Sequence, residues 1–402
     1  MTESPSYDIA IVGGGMVGAA LACALGQAGF RTAVIEGREP QRRWPKEEVD
    51  LRVSALTRAS QNILDNLGAW KLMAKRRISP YQCMEVWDAG SSGRIHFDCA
   101  DIGEPNLGHI VENRITQLTL WQVMEKIDSV DILCPARVES MNLQQHSLTL
   151  DDGRTINASL IVGADGRDSR IRQMAGIDTH GWAYNQHALV ATVTPSGDHK
   201  QTAWQRFMPT GPLAFLPIDD GRCSIVWSTS PEEAARLKEL PDEEFLQLLT
   251  AAGEGCIGEI IECGPRGVFP LRLGHSDPYV KAGLALVGDA AHAIHPLAGQ
   301  GVNLGLLDAA TLAQTIIEGQ NANRAPGNLR DLRRYERIRK GDNMAMLGAM
   351  DGFKRMFSND NKLLGLIRGI GLSVANQVGP INHLFMRQAL GLEGERPLLS
   401  KK

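Results

Sequence analysis

Three short apolar runs, each ending in a glycine-rich turn and followed by a helical pattern, set the frame of this chain. The first is Asp8-Ile-Ala-Ile-Val-Gly13, a buried-strand pattern that leads through Gly13 to Gly18 into an alanine-rich helix ending near Gly29. A second strand pattern, Arg31 to Glu36, then closes on an acid 18 residues after Gly18. The next run is Leu160-Ile-Val-Gly-Ala-Asp165-Gly166, which opens a helix carrying Arg167, Arg170 and Arg172. The last is Leu284 to Val287, ending at Gly288-Asp289. A turn with Pro296, Gly299 and Gly301 comes next, then a helix from near Val302 with Leu304, Leu307, Ala310, Leu312, Ala313 and Ile316. Strand, turn and helix repeated in this way predict an α/β fold around a parallel sheet.

Between the runs the pattern changes to period two. Met84–Asp88 and Arg94–Asp98 predict a hairpin about Gly90-Ser-Ser-Gly93. Ile110 to Asn113 leads into a helix through Leu118, Trp121 and Met124, and residues 130–164 read as a meander turning at Asp151-Asp152-Gly153. Four strands are expected at His187–Val193, Trp204–Met208, Leu213–Pro217 and Cys223–Ser228. They form an antiparallel sheet, and a helix from Ser230 to about Thr250 comes after it. The expected division is a discontinuous nucleotide domain at 1–80, 101–185 and 265–340. The inserted sheet takes 81–100 and 186–264, and a C-terminal helical segment takes 341–402. The charged stretch Gly37–Asp50 reads as a mobile surface loop.

With 402 residues the chain is long enough for two domains. A net charge of −4 gives no basic footprint for nucleic acid. The seven cysteines are scattered without a C-x-x-C pair, which reads as reduced and cytoplasmic. The polar start runs directly into the first strand, so no signal peptide is expected, and no apolar run reaches membrane-spanning length.

The N-terminal unit has the form of a dinucleotide site. Gly13 makes the turn, Gly15 lets backbone approach a pyrophosphate, Gly18 packs helix on strand, and Glu36 can hold ribose hydroxyls. The Gly288-Asp289 turn and the helix N-terminus after it suit a polar ligand, though a tight structural turn has the same signature. No catalytic triad, metal cluster or paired carboxylate stands out.

In order and spacing the three motifs resemble the class A flavoprotein monooxygenases with the para-hydroxybenzoate hydroxylase fold. The resemblance implies FAD bound by a Rossmann-like domain, NAD(P)H as a transient electron donor, and O2 as co-substrate. Its N-terminal fingerprint takes the ADP half, Asp165-Gly166 serves FAD and NAD(P)H, and Gly288-Asp289 holds the ribityl chain. Backbone at Pro296, Gly299, Gly301, Val302 and Asn303 then surrounds the flavin, stabilising charge near N1 and O2. Arg52 either lies near the flavin or makes a surface ion pair, and Asn113 either touches the isoalloxazine or caps its helix. His292 and His295 either act on a phenol proton or brace the turn. Arg170 and Arg172 are expected to contribute to NAD(P)H affinity.

Within that family the chain is similar to the ubiquinone-biosynthesis hydroxylases. The shared stretches are Gly13–Gly18, His109–Asn113, His187–Thr192 and His295–Gly305. Met84–Asp88 and Ser224–Ala234 point to the 2-polyprenylphenol branch, which forms 2-polyprenyl-6-hydroxyphenol through a flavin C4a-hydroperoxide. Hydroxylation at another ring position of a later intermediate is the rival enzyme reading. A flavin-stabilised scaffold in a quinone-synthesis assembly is the rival of another kind.

The segment Asn343–Leu392 carries apolar stripes, among them Met346, Met350, Phe353 and Phe357, interleaved with Lys354, Arg355, Lys362, Arg368 and Arg387. It is expected to be dispensable for the FAD domain. Its helices either simply pack on the domain or dock the protein to the surface of the inner membrane, a ubiquinone-biosynthesis partner or a second copy.

Overall fold

The computed structural model describes residues 5–91, 93–293, 301–357, 386–387 and 390–402. One sheet carries the nucleotide motifs. Its order is Val280–Lys281, Leu284–Leu286, Thr155–Gly163, Ser6–Val12, Thr32–Ile35 and Val130–Leu133. All neighbours in that path are parallel except the first pair. The expected meander is present as Val138–Asn142 and Ser147–Leu150, paired antiparallel beside Thr155–Gly163. Buried on both faces, these strands read as continuous apolar runs rather than alternations. Ile9, Ile11, Leu160 and Ile161 are fully buried, each contributing about 1.5–3 kcal/mol of burial.

Helices Met16–Gln27 and Gly301–Asn321 cross this sheet in close contact. A Cβ on Gly305 would lie 2.5 Å from a Val17 methyl, so the approach requires glycine. Because the Leu284–Leu286, Thr155–Gly163 and Ser6–Val12 strands are parallel neighbours, the turns at their ends emerge along one sheet edge.

The second sheet runs His292–Ala293, Gly267–Asp277, Asp178–Pro195, Cys223–Thr229, Gly211–Pro217, Thr202–Met208, Cys83–Asp88 and Arg94–Asp98, with Ile260–Cys263 beside Asp178–Pro195. The predicted hairpin pairs Cys83 with Asp98 and Trp87 with Arg94. Sheet pairing extends outside 186–264 on both sides, along Asp178–Pro195 and Gly267–Asp277. The helix expected from Ser230 to Thr250 is two helices, Pro231–Glu239 and Asp242–Ala252. Pro241 is the cause: it lacks a donor and pushes Leu240 into extended backbone with ψ 147°.

The C-terminal region differs most from expectation. Leu329–Phe357 is one helix, and Asn343, where the dispensable segment was expected to begin, is completely buried. Met386 and Leu390 belong to a core cluster with Ala55, Tyr81 and Leu216. Asn62 and Asn66 donate to the carbonyls of Ser400, Leu399 and Lys401, and Leu398 N–H donates to Gln314. Both flanks of the segment therefore pack into the fold. The later stripes, from Leu363 to Phe385, lie outside the described residues. Among the described residues no helix is long and apolar enough to cross a membrane.

Candidate active site

The N-terminal turn is built by glycines with separate jobs. Gly13 has φ +108°, and a Cβ there would sit 2.3 Å from the Ala164 carbonyl oxygen. A Cβ on Gly18 would meet the Gly13 carbonyl oxygen at 1.9 Å. Gly15 is different, because its Cβ would meet nothing within 4 Å. It starts the Met16–Gln27 helix with no side-chain cap, so the first amides open onto free space where an anion is favoured. The turn itself is pinned from three sides. Trp121 Nε1 and Gln117 Nε2 donate to the Gly14 carbonyl at 2.7 and 3.2 Å, and Gly14 N–H donates to Glu36 Oε2 at 2.6 Å. Glu36 thus reaches the turn itself, with its other oxygen accepting from Arg38 N–H.

Gly15 faces a cleft of about 530 Å³. Arg52, Asn113, Gly166, Asp289, Gly301 and Val302 line it as well, so the structure brings these sequence candidates to one place. The opposite wall is the apolar face of the second sheet, with Ala188, Val190, Val226 and Leu271. Asp289 opens into the cleft, and among the described residues no donor lies within hydrogen-bond distance of its carboxylate. The surrounding protein raises its carboxyl above the ordinary range by desolvation, against the pull of His292, Arg52 and Arg167. A carboxylate with unfilled acceptors facing a groove is suited to ligand hydroxyls.

Asp165 is placed otherwise. Its carboxylate accepts from Ser169 Oγ at 2.5 Å and from the N–H groups of Arg170 and Ile171 at 2.7 and 3.2 Å, capping the short helix Arg170–Met174. Its neighbour Gly166, at φ +81°, reaches the cleft. Arg172 is a buried strut that donates to the carbonyls of Ala290 and Arg167. Arg170 is exposed, and of the three arginines after Gly166 it is Arg167 that lines this cleft, with Arg52 and Arg272.

The structure gives several side chains, for which sequence left alternatives open, definite partners. Arg52 stacks over Phe269 at 6.0 Å at the cleft margin, with no ion pair among the described residues. Asn113 is the first residue of its helix and accepts from Ser54 Oγ at 2.7 Å rather than capping. Asn303 is engaged on both ends: its Oδ1 accepts from Thr57 N–H and Ser60 Oγ, and its Nδ2 donates to the Ala55 carbonyl. Its side chain therefore clamps strand Val53–Leu56 to the helix, and only its backbone is left for a ligand. His292 is buried against Asp308, which makes it a brace. His295, Pro296 and Gly299 lie outside the described residues.

Residues that sequence reasoning missed lie behind the turn. Asp308, fully buried, accepts from Gly288 N–H at 3.0 Å, lies 2.5 Å from His292 Nε2, and accepts from Arg339 Nε at 2.8 Å. Burial would raise this carboxyl, but His292 and Arg339 outweigh it and hold it down to about 2. A second grouping, Cys83, His96 and Asp98 on the outer hairpin, brings ligand-type atoms within 4.8 Å of one another, which sequence spacing did not suggest. It is satisfied internally: His96 Nδ1 pairs with Glu85 at 2.7 Å and Asp98 accepts from Ala100 N–H.

The family described as FAD binding domain matches residues 6–347. The 3-demethoxyubiquinol 3-hydroxylase of Escherichia coli is 39% identical over 396 residues, covering 98% of this chain and all of that protein. The chain belongs to the FAD-binding ubiquinone-biosynthesis hydroxylases. The ubiquinone hydroxylase UbiL of Rhodospirillum rubrum is also 39% identical, over 96% of this chain and 89% of its own length. The fold is that of p-nitrophenol 4-monooxygenase PnpA from Pseudomonas putida, with a TM-score of 0.79 at 17% identity over 98% of this chain and all of that one. This family's cofactor is FAD, and its members are aromatic-ring monooxygenases that use NAD(P)H and O2. The site fits such a group: the Gly15 groove is a cradle a side chain would fill, and Asp289 presents an unengaged acceptor.

Proposed function

We propose that this hydroxylase acts on the ring of 2-polyprenylphenol, giving 2-polyprenyl-6-hydroxyphenol. The observation that carries the reading is the continuity of one cleft from the Gly15 and Asp289 turns to the apolar sheet face. FAD held there would supply the redox chemistry, with NAD(P)H as electron donor and O2 as the source of the oxygen placed on the ring. The chain's own residues provide the rest. Amides at the start of Met16–Gln27 would take the pyrophosphate, Asp289 would hold ribityl hydroxyls, and the backbone of Gly301 and Val302 would face the flavin. Ala188, Val190, Val226 and Leu271 shelter the phenol from water. The reductant approaches beside Arg167 and Arg272, which border both this cleft and an adjoining one of about 310 Å³. Arg172 lines that adjoining cleft too while donating to the Ala290 and Arg167 carbonyls, and Arg167 joins it among the residues proposed to serve NAD(P)H.

The choice of ring position rests on Met84–Asp88 and Ser224–Ala234. A later position is the second reading, favoured by the name and 39% identity of the Escherichia coli relative. A deletion strain distinguishes them by mass spectrometry. Accumulated 2-polyprenylphenol supports the first reading, and an accumulated demethoxyubiquinol supports the second. A purified flavoprotein that never consumes NAD(P)H with a phenol and O2 supports the scaffold instead. Docking to a membrane or partner is assigned to the part between Asn343 and Met386, because both flanks pack into the fold.

A further inference from the structure

Helix Leu329–Phe357 places Tyr335, Arg339 and Asn343 four residues apart, which aligns them on one helix face. All three are buried, and each reaches the strand and turn that carry Asp289 or their support. Tyr335 Oη donates to the Leu286 carbonyl at 2.8 Å. Arg339 Nε donates to Asp308 Oδ1 at 2.8 Å, and its Nη2 donates to Asn343 Oδ1 at 2.9 Å. Asn343 Nδ2 lies 3.4 Å from Asp308 Oδ1. Arg339 Nη1 also donates to Asp342, at the edge of solvent.

Asp308 faces the turn with its other oxygen, taking Gly288 N–H and His292. Gly288 has φ +58° and immediately precedes Asp289, so the direction of the Asp289 carboxylate depends on how Gly288 is held. An uncompensated carboxylate at Asp308 would be costly in this interior, and Arg339 compensates it together with His292. The chain of contacts therefore runs from a helix far along the sequence, through one buried acid, to the residue facing the cleft.

We propose that Arg339 and Asn343 are positioning residues for the cofactor turn, acting through Asp308 on Gly288 and thereby on Asp289. The proposal rests on the flavin reading of the cleft. Neither residue borders that cleft. The role differs from that of a strut, because it predicts a change in how the folded protein holds its flavin.

The test uses full-length protein, stripped of FAD and titrated with FAD, alongside the flavin midpoint potential and the melting temperature of the apoprotein. Arg339→Gln should weaken FAD binding by about tenfold or more, the lower end of losses when a supporting outer partner is removed from a metal site. Arg339→Lys, which keeps the charge, should recover much of that loss. Asn343→Leu leaves both charges in place and should weaken binding by a smaller factor while shifting the potential. If Arg339→Gln fails to fold, Arg339→Lys and Asn343→Leu decide the matter. Variants that melt earlier yet bind FAD with wild-type affinity and potential would reduce both residues to ordinary struts and overturn the proposal. A wild-type protein that binds no FAD would instead overturn the flavin reading itself.

Discussion

At Asp165-Gly166 and at Gly288-Asp289 the chain makes nearly the same local structure. In each a buried parallel strand ends beside a glycine of positive φ, +81° and +58°, and next to an acid. The two carboxylates then diverge. Asp165 is engaged by one hydroxyl and two amides of its own loop and helix. Asp289 has no such partner among the described residues and opens into the cleft. The difference lies in the stretch of chain just after each acid. Beyond Asp165 the chain folds straight back as Ser169 and the Arg170–Met174 helix, which supplies donors. Beyond Asp289 the next donors behind the turn belong to Asp308's network, which takes Gly288 N–H and leaves the Asp289 side chain outside. A similar pairing of glycine and acid thus yields a helix cap in one place and a carboxylate open to the cleft in the other.

Replacing Asp289 by Ala gives the largest effect. Each charge-assisted bond to ribityl hydroxyls is worth about 1.5–3 kcal/mol, so FAD affinity should fall by at least about tenfold. The apoprotein should hold its stability, because the raised carboxyl makes the ionised Asp289 a cost rather than a support above its own titration range. Apoprotein calorimetry combined with FAD titration checks both halves. Gly15→Val should come next, stripping flavin while the apoprotein still folds, since its side chain enters open groove. A yellow, stoichiometric Gly15→Val protein would remove the N-terminal cradle from the account.

Asp165→Ala tests the other side of the comparison. Loss of this cap should cost about 1–2 kcal/mol of unfolding free energy, measured in denaturant, with FAD retained. Arg172→Ala joins the two turns and should cost a similar amount through the lost bonds to Ala290 and Arg167. Arg170→Ala, exposed, should change stability by less than about 0.5 kcal/mol. Acid provides a smaller and separate test. Asp308, depressed to about 2, supplies stability that is complete above its unfolded value of about 3.9 and is lost as pH falls toward 2. Melting curves between those limits should flatten in Asp308→Asn protein if it still folds.

Much of the cofactor side was legible in sequence because its residues report backbone geometry. Gly13 and Gly18 sit where a Cβ collides with backbone, and Gly15 where it meets nothing. Such demands fix residue type and spacing locally. The side chains behind the turn were not legible. Asp308, Arg339 and Asn343 are joined across 31 and 35 residues of chain, and nothing local separates their charges from solvated ones. The job of the Asn303 side chain was not legible either: its amide is engaged by Ala55, Thr57 and Ser60, some 245 residues earlier. The C-terminal segment stayed ambiguous for a related reason. Apolar residues signal burial but do not say against what, and Met386 and Leu390, outside the named stripes, are in the core.

The central claim is that Asp289, and not Asp165, is the acceptor for the cofactor. FAD titration of the Asp289→Ala and Asp165→Ala apoproteins, run side by side under one buffer, tests it most directly. The account predicts a tenfold or greater loss of affinity for Asp289→Ala and a change below about threefold for a folded Asp165→Ala protein, a difference of more than about 0.7 kcal/mol. Retained affinity in Asp289→Ala with the loss falling on Asp165→Ala would contradict it.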